Sequence, residues 1–277
     1  MTPHTIPCLT ALFLSACLPS RRVDVIYLAS AGDVVERMLS LAHVGKADVV
    51  YDLGCGDGRI VIGAARDRGA SGVCNDIDPA RIAESRRNAE TAGVAARVRL
   101  EEGDLFELDL AEATVVTLYL SPAINRQLRP KLFRELRPGS RVISHNFDMG
   151  EWLPDSTVRV AWPSGTTSAV HLWIVPADLA GTWDITVSGA AVDRRYRIRL
   201  EQEFQRLSGT ASHGGRSVEL RGARVSGDTV GFVVADTLGG AETMLHFRGN
   251  MRGGAMAGAV TVERDSTTGR WGGVRPR

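Results

Sequence analysis

The stretch Val49-Val50-Tyr51-Asp52-Leu53-Gly54-Cys55-Gly56-Asp57-Gly58-Arg59 leaves the chain few folds to choose from. An apolar run ends in a carboxylate, glycine recurs at every second position, and a helical pattern follows from Arg59 to about Arg68. A buried strand feeding a glycine loop and then a helix is how an open α/β sheet builds a ligand site at the carboxyl ends of its strands. Glycine lets the backbone approach a ligand and take up positive φ. The spacing G-x-G-x-G differs from the G-x-G-x-x-G that seats a pyrophosphate on a helix N-terminus. Asp52 and Asp57 set two carboxylates beside the loop, which repel a pyrophosphate and suit a ligand carrying positive charge.

The segments that follow extend this pattern. A second strand at Gly72–Asn75 ends at Asp76-Ile77-Asp78-Pro79, and a helix runs from Pro79 to about Ala92. A third strand near Val98–Leu100 leads into Gly103-Asp104-Leu105. Thr114–Leu120 is a continuous apolar and β-branched run, as expected of a strand covered on both faces. It opens into Ser121-Pro122-Ala123-Ile124-Asn125. The four-residue spacing of Ile124, Leu128, Leu132 and Leu136 predicts helix, with Pro130 expected to split it into two short ones. A fifth strand at Arg141–His145 precedes two more, Val158–Ala161 and Val170–Val175, which are expected to form a hairpin. Upstream, Val34, Val35, Met38, Leu39 and Leu41 predict a helix over about 32–42.

The glycine loop resembles motif I of the class I S-adenosylmethionine-dependent methyltransferases, and the resemblance covers roughly 27–175. It implies a seven-strand, doubly wound Rossmann-like sheet and S-adenosylmethionine as cofactor. In such enzymes the first acid after the second strand holds the ribose hydroxyls, here Asp76 with Asp78 as second choice. The acid of the G-D pair, here Asp104, accepts from the adenine amine. The implied cofactor site comprises Tyr27, Asp52, Gly54, Cys55, Gly56, Asp57, Gly58, Asp76, Ile77, Asp104 and Leu105, with Tyr27 or Ser30 at the entrance. The loop after the fourth strand implies a catalytic face at Tyr119, Ser121, Pro122 and Asn125. Tyr119-Leu120-Ser121-Pro122 followed by Pro138-Gly139-Ser140 is most similar to the non-SET protein-lysine methyltransferases. An apolar channel walled by Tyr119, Pro122 and Phe147 would suit a neutral amine, since desolvation disfavours ammonium. An N-P-P-Y-type loop, which holds the planar amine of adenine, is missing. His145 and Asp148 are the candidates for a general base, although methyl transfer from a sulfonium needs little beyond proximity and orientation.

Net charge is +1, with −3 over residues 1–178 and +4 over 179–277, which gives no electrostatic case for nucleic acid. Cys8, Cys17, Cys55 and Cys74 match no zinc or redox spacing, and Cys55 and Cys74 are expected to behave as small apolar side chains. No metal site is expected. Residues 1–22 form a leader that reads in two ways. Leu14-Ser15-Ala16-Cys17 looks like a lipoprotein cleavage box, which would tether the chain to a membrane through Cys17. The segment before it lacks Lys and Arg, Pro7 interrupts the apolar run, and cofactor supply favours the cytoplasm.

The expected division is 1–22 leader, 23–178 methyltransferase domain and 179–277 a small antiparallel barrel or sandwich. In the last of these, Tyr196, Ile198 and Leu200 alternate with arginines. Turns are expected at Ser208-Gly209, His213-Gly214-Gly215, Ser226-Gly227-Asp228, Gly239-Gly240, Arg252-Gly253-Gly254 and Thr268-Gly269. Gly181-Thr182-Trp183 weakly resembles the opening of lipocalin-like barrels. The reading is methyl transfer to a protein lysine. The alternatives are a small-molecule or lipid acceptor, or an inactive envelope binding protein. Oligomeric state is not legible.

Overall fold

The computed structural model describes residues 28–161, 165–189 and 193–276. Tyr27, Cys17 and the leader expectations lie outside these residues. Helix α1 (Gly32–Leu41) leads into strand β1 (Val49–Leu53), then α2 (Arg59–Arg68), β2 (Ser71–Asp76), α3 (Pro79–Thr91) and β3 (Val98–Glu102). Next come β4 (Val115–Leu118), α4 (Pro122–Glu135), β5 (Arg141–His145), β6 (Ser156–Ala161) and β7 (Thr167–Ile174). The sheet order is β3-β2-β1-β4-β5-β7-β6, with β1 to β5 parallel and β7 antiparallel to both neighbours. Strand order reverses between β1 and β4, and such a switch point opens a crevice at the strand carboxyl ends.

The two-residue period of each strand sorts its side chains between two helical layers. Val50, Cys74, Val115, Ile143 and Val170 face α1, α2 and α3. Tyr51, Leu53, Val116, Leu118, Val142 and Trp173 face α4 through Ile124, Leu128 and Leu132. The same alternation decides where the polar strand residues point. Asp52 and Thr117 share the first face, and Ser144 shares the α4 face with Asn125. The expected break at Pro130 does not occur, because α4 runs unbroken from Pro122 to Glu135 with the proline inside it. Leu128 and Leu132 on either side of it are fully buried, and that packing offsets the backbone hydrogen bond a proline removes.

Among the described residues beyond 180, the regular elements are all strands. The strands are β8 (Gly181–Gly189), β9 (Arg194–Glu203), β10 (Arg206–His213), β11 (Arg216–Glu219), β12 (Arg221–Ser226) and β13 (Thr229–Leu238). They continue as β14 (Ala241–Arg252), β15 (Ala255–Val262) and β16 (Thr268–Val274). Antiparallel neighbours run from β12 through β16 to β8 and β9, and the β9–β10 pairing closes the barrel, with β11 folded back on β10. Closure leaves the eight barrel strands without a free edge. The interior is filled: Phe232 stacks on Phe247 at 4.7 Å between ring centres, and Trp271 meets Phe247 edge-on at 5.6 Å. Two expected turns are strand instead, at Ser208-Gly209 within β10 and Thr268-Gly269 at the start of β16. A side chain on Gly209 would lie 1.9 Å from the Arg199 carbonyl oxygen, so this glycine serves close strand approach and not chain reversal.

The barrel docks away from the carboxyl ends of the parallel strands. Phe204, in the β9–β10 turn, stacks at 5.8 Å on Phe133 near the end of α4 and at 6.3 Å on Trp152. The Arg129 guanidinium lies over the Phe204 ring, and Gln205 Nε2 donates to the Leu153 carbonyl and to Asp155. Gly227 approaches Gly139, just before β5, and its carbonyl accepts from Ala177 N at 2.7 Å. Phe204→Ala is expected to lower the unfolding free energy by about 2 kcal/mol in urea titration. Because Phe204 lies far from the strand carboxyl ends, affinity for S-adenosylmethionine should stay within about twofold in calorimetry on the same variant.

Candidate functional site

The glycine loop is fastened to the end of β2 from several sides. Gly54 N and Cys55 N both donate to the Asn75 carbonyl, at 2.8 and 3.0 Å. Gly56 N donates to Asp76 Oδ2 at 2.9 Å, while the other Asp76 oxygen accepts from Asp78 N. From α3, Ser85 Oγ donates to the Gly56 carbonyl and Asn88 Nδ2 to that of Asp57. Gly54, Gly56 and Gly58 all have positive φ, near 75°, 57° and 77°. At Gly58 a Cβ would also meet Ser85 Oγ at 2.8 Å, so both backbone angle and space require glycine.

Cys55 and Cys74 are joined as a disulfide, which corrects the expectation of two independent small apolar side chains. The loop folds back over β2 and brings the two Cα atoms to 5.3 Å, within the range a disulfide spans. Their sequence separation of 19 follows no redox motif, and only the fold brings them together.

Asp52 is buried and accepts from Thr117 Oγ1 at 2.6 Å across the β1–β4 pairing. Burial pushes its carboxyl from 3.8 up to about 7; the Thr117 hydrogen bond opposes the rise, and the nearby carboxylates of Asp76 and Asp57 add to it. Asp57 is held by Arg59, which also donates to the Ser30 carbonyl at 2.7 Å. Asp78 is the N-cap of α3, accepting from Ala80 N, which leaves Asp76 as the acid directed at the loop. Ile77 beside it is half-buried. Asn75 Nδ2 donates to the Glu101 and Gly103 carbonyls and so joins the ends of β2 and β3, bringing Asp104 and the half-buried Leu105 to the same rim. Asp104 accepts from Phe106 N. The carboxylates of Asp52, Asp57 and Asp76 around a positive-φ loop fit a small cationic nucleoside and not a polyphosphate.

At the carboxyl ends of β4 and β5, Tyr119 stacks on His145 at 3.9 Å and lies 6.0 Å from the Phe147 ring. His145 is buried, with Ser30 Oγ 2.9 Å from Nδ1 and Ser168 Oγ 3.0 Å from Nε2. Burial pulls its imidazole down to about 4, so it is neutral near pH 7. With both nitrogens engaged by hydroxyls, His145 braces the wall and is not placed as a general base. Asp148, the other candidate base, accepts from Gly150 N in a turn. Ser121 caps α4 through Ile124 N, and Pro122 is exposed in the first turn. Asn125 is fully buried, its Nδ2 reaching Ser144 Oγ and the Phe147 and Asp148 carbonyls. It therefore holds the loop after β5 against α4. Thr117, Ser85, Asn88, Asn75 and Ser168 escape a reading of the sequence. Thr117 alone left a signal, a hydroxyl inside the apolar run of β4.

Residues 52–156 match the ANTKMT methyltransferase domain. A protein-lysine N-methyltransferase of Saccharolobus islandicus (strain REY15A) is 44% identical over 154 residues, which cover 54% of this chain and 94% of that protein. The adenine nucleotide translocase lysine N-methyltransferase of Mus musculus is 33% identical over 137 residues, covering 50% of this chain and 59% of the mouse protein. A solved structure described as an RNA methyltransferase from Salinibacter ruber in complex with S-adenosyl-L-homocysteine is 53% identical, covering 55% of this chain and 96% of that one with a TM-score of 0.52. The fold and site define a class I S-adenosylmethionine-dependent methyltransferase. Within that class the chain belongs to the protein-lysine N-methyltransferase family.

The raised Asp52 carboxyl has two consequences of opposite sign. Folded chain binds this proton more tightly than unfolded chain, so Asp52 withdraws stability from the free protein as pH rises from about 4 to about 7. A bound ammonium or sulfonium favours the ionised form, so affinity for S-adenosylmethionine is expected to rise with pH up to about 7 and then level. Calorimetry at a series of pH values should show this rise in the native protein and a flat profile in Asp52→Asn.

Proposed function

We propose that this chain transfers a methyl group from S-adenosylmethionine to the side-chain amine of a protein lysine. The observation that carries the reading is the aromatic wall of Tyr119, His145 and Phe147 at the carboxyl ends of β4 and β5, beside the loop that would hold the cofactor. When bound, S-adenosylmethionine supplies an electrophilic methyl on a sulfonium. Asp76 and Asp104 would hold its ribose and adenine, and Asp52 with the backbone from Gly54 to Gly58 its charged end. Tyr119, Phe147 and Pro122 would line the approach of the acceptor.

Lysine is an ammonium near pH 7 and becomes a nucleophile only after losing a proton. The ring faces attract the incoming ammonium, and its withdrawal from water at this wall favours the neutral amine at the moment of attack. A neutral His145 adds no charge to oppose the approach of a cationic side chain. His145 is engaged at both nitrogens while Asp148 is exposed, so the released proton passes to solvent directly or by way of Asp148, and the rate should climb with pH as the free-amine fraction grows.

The relative described as an RNA methyltransferase favours a second reading, an RNA acceptor. The lack of a net basic charge speaks for protein. Cell extract incubated with methyl-labelled S-adenosylmethionine and separated into protein, RNA and lipid fractions decides between them. The expected result is label in protein, recovered as methyl-lysine after acid hydrolysis; label confined to RNA or lipid would sink the lysine reading. Tyr119→Ala should cut transfer by about tenfold or more while leaving cofactor affinity nearly unchanged, because it removes orientation and not cofactor contacts.

A further inference from the structure

The Cys55–Cys74 disulfide has no part in methyl transfer, yet it ties the glycine loop to the strand that presents Asp76. We propose that it is a reversible thiol–disulfide site that sets affinity for the cofactor, with the disulfide favouring the bound form and the dithiol the free form. The proposal rests on the cofactor assignment but not on the identity of the acceptor.

Position carries the first part of the case. Cys55 lies between Gly54 and Gly56, and Cys74 lies two residues before Asp76. Cys74 is fully buried in β2, paired with Asp52 on one side and Leu100 on the other. It cannot shift without unzipping two strand pairings. Two thiols need more room than one disulfide in a core packed to crystal-like density. Opening the bond therefore displaces Cys55, the end on the loop. Its neighbours move with it, and these include the Gly54 and Cys55 amides on the Asn75 carbonyl and the Gly56 amide on Asp76. Ser85 feels both ends, since its Oγ donates to the Gly56 carbonyl and lies 3.3 Å from Cys74 Sγ. Reduction thus loosens the contacts that aim Asp76 and the loop backbone.

Access carries the second part. Cys74 is closed to solvent, whereas Cys55 keeps 6% of its surface. Of the two, the Cys55 sulfur is the one that opening of the loop uncovers; a thiolate from a small dithiol attacks it there, forms a mixed disulfide and expels Cys74 as thiolate. A second thiolate from the same donor attacks the donor's sulfur and releases Cys55, so the protein gains two electrons and two protons while the donor leaves as a disulfide. A low-molecular-weight disulfide runs the same steps in reverse. Because coupling between two equilibria is reciprocal, a bound cofactor must also resist reduction of the disulfide.

The full chain is tested by calorimetry with S-adenosylhomocysteine after equilibration with oxidised glutathione or with dithiothreitol. The dithiol form should bind about tenfold more weakly, and oxidised glutathione should restore the original affinity. Saturating S-adenosylhomocysteine should slow dithiothreitol reduction by a similar factor, read by alkylation and mass measurement. The Cys55→Ala/Cys74→Ala double variant, which has no thiol to exchange, should show one affinity under both conditions. Should that variant fail to fold, the reversible change in the native protein still carries the test. Equal affinities of the two native forms, or two free thiols after oxidised glutathione, would overturn the proposal. Absence of binding in both forms would overturn the cofactor assignment together with it.

Discussion

The structure depends on the way one loop is held to one strand end. Gly54, Gly56 and Gly58 take left-handed angles that glycine adopts without strain but also leaves freely, so the loop keeps its shape only where its surroundings determine it. Here they do so through the Asn75 carbonyl, the Asp76 carboxylate, two side chains from α3 and a disulfide. Everything chemical follows from that fixation. Asp76 is aimed, Asp52 is sealed beneath the loop, and α2 starts where the loop ends.

Much of this was legible in the sequence, because the α/β half follows local rules. The glycine spacing with its preceding apolar run marked β1, the loop and α2, and apolar periodicity marked α1 and both halves of α4. What escaped was non-local. Pro130 reads as a break, and only the burial of Leu128 and Leu132 shows why the helix passes through it. Gly209 reads as a turn, and only the approach of Arg199 shows that it marks a close strand crossing. Cys55 and Cys74 read as unrelated because they are far apart in sequence and adjacent only in the sheet. Asn125 and His145 were visible as polar residues on the catalytic side, yet their roles as braces depend on partners that follow from strand parity.

The two faces of the sheet divide the work. The face toward α1 to α3 carries Asp52, Thr117 and His145, so the Asp52 carboxyl lies beneath helices and sees little water. The face toward α4 carries Ser144 and the Asn125 brace, which set the loop bearing Phe147. A substitution on either face therefore reaches the rim by a different route, through the ionisation of Asp52 or through the placement of an aromatic wall.

The barrel has a consequence that its packed interior hides. Phe133, where it docks, lies eleven residues after Pro122 on α4, roughly 16 Å down the helix from the catalytic rim. It sits behind the catalyst, like a grip, and leaves the working edge uncovered. Among the described residues the barrel therefore sets no lid over that edge.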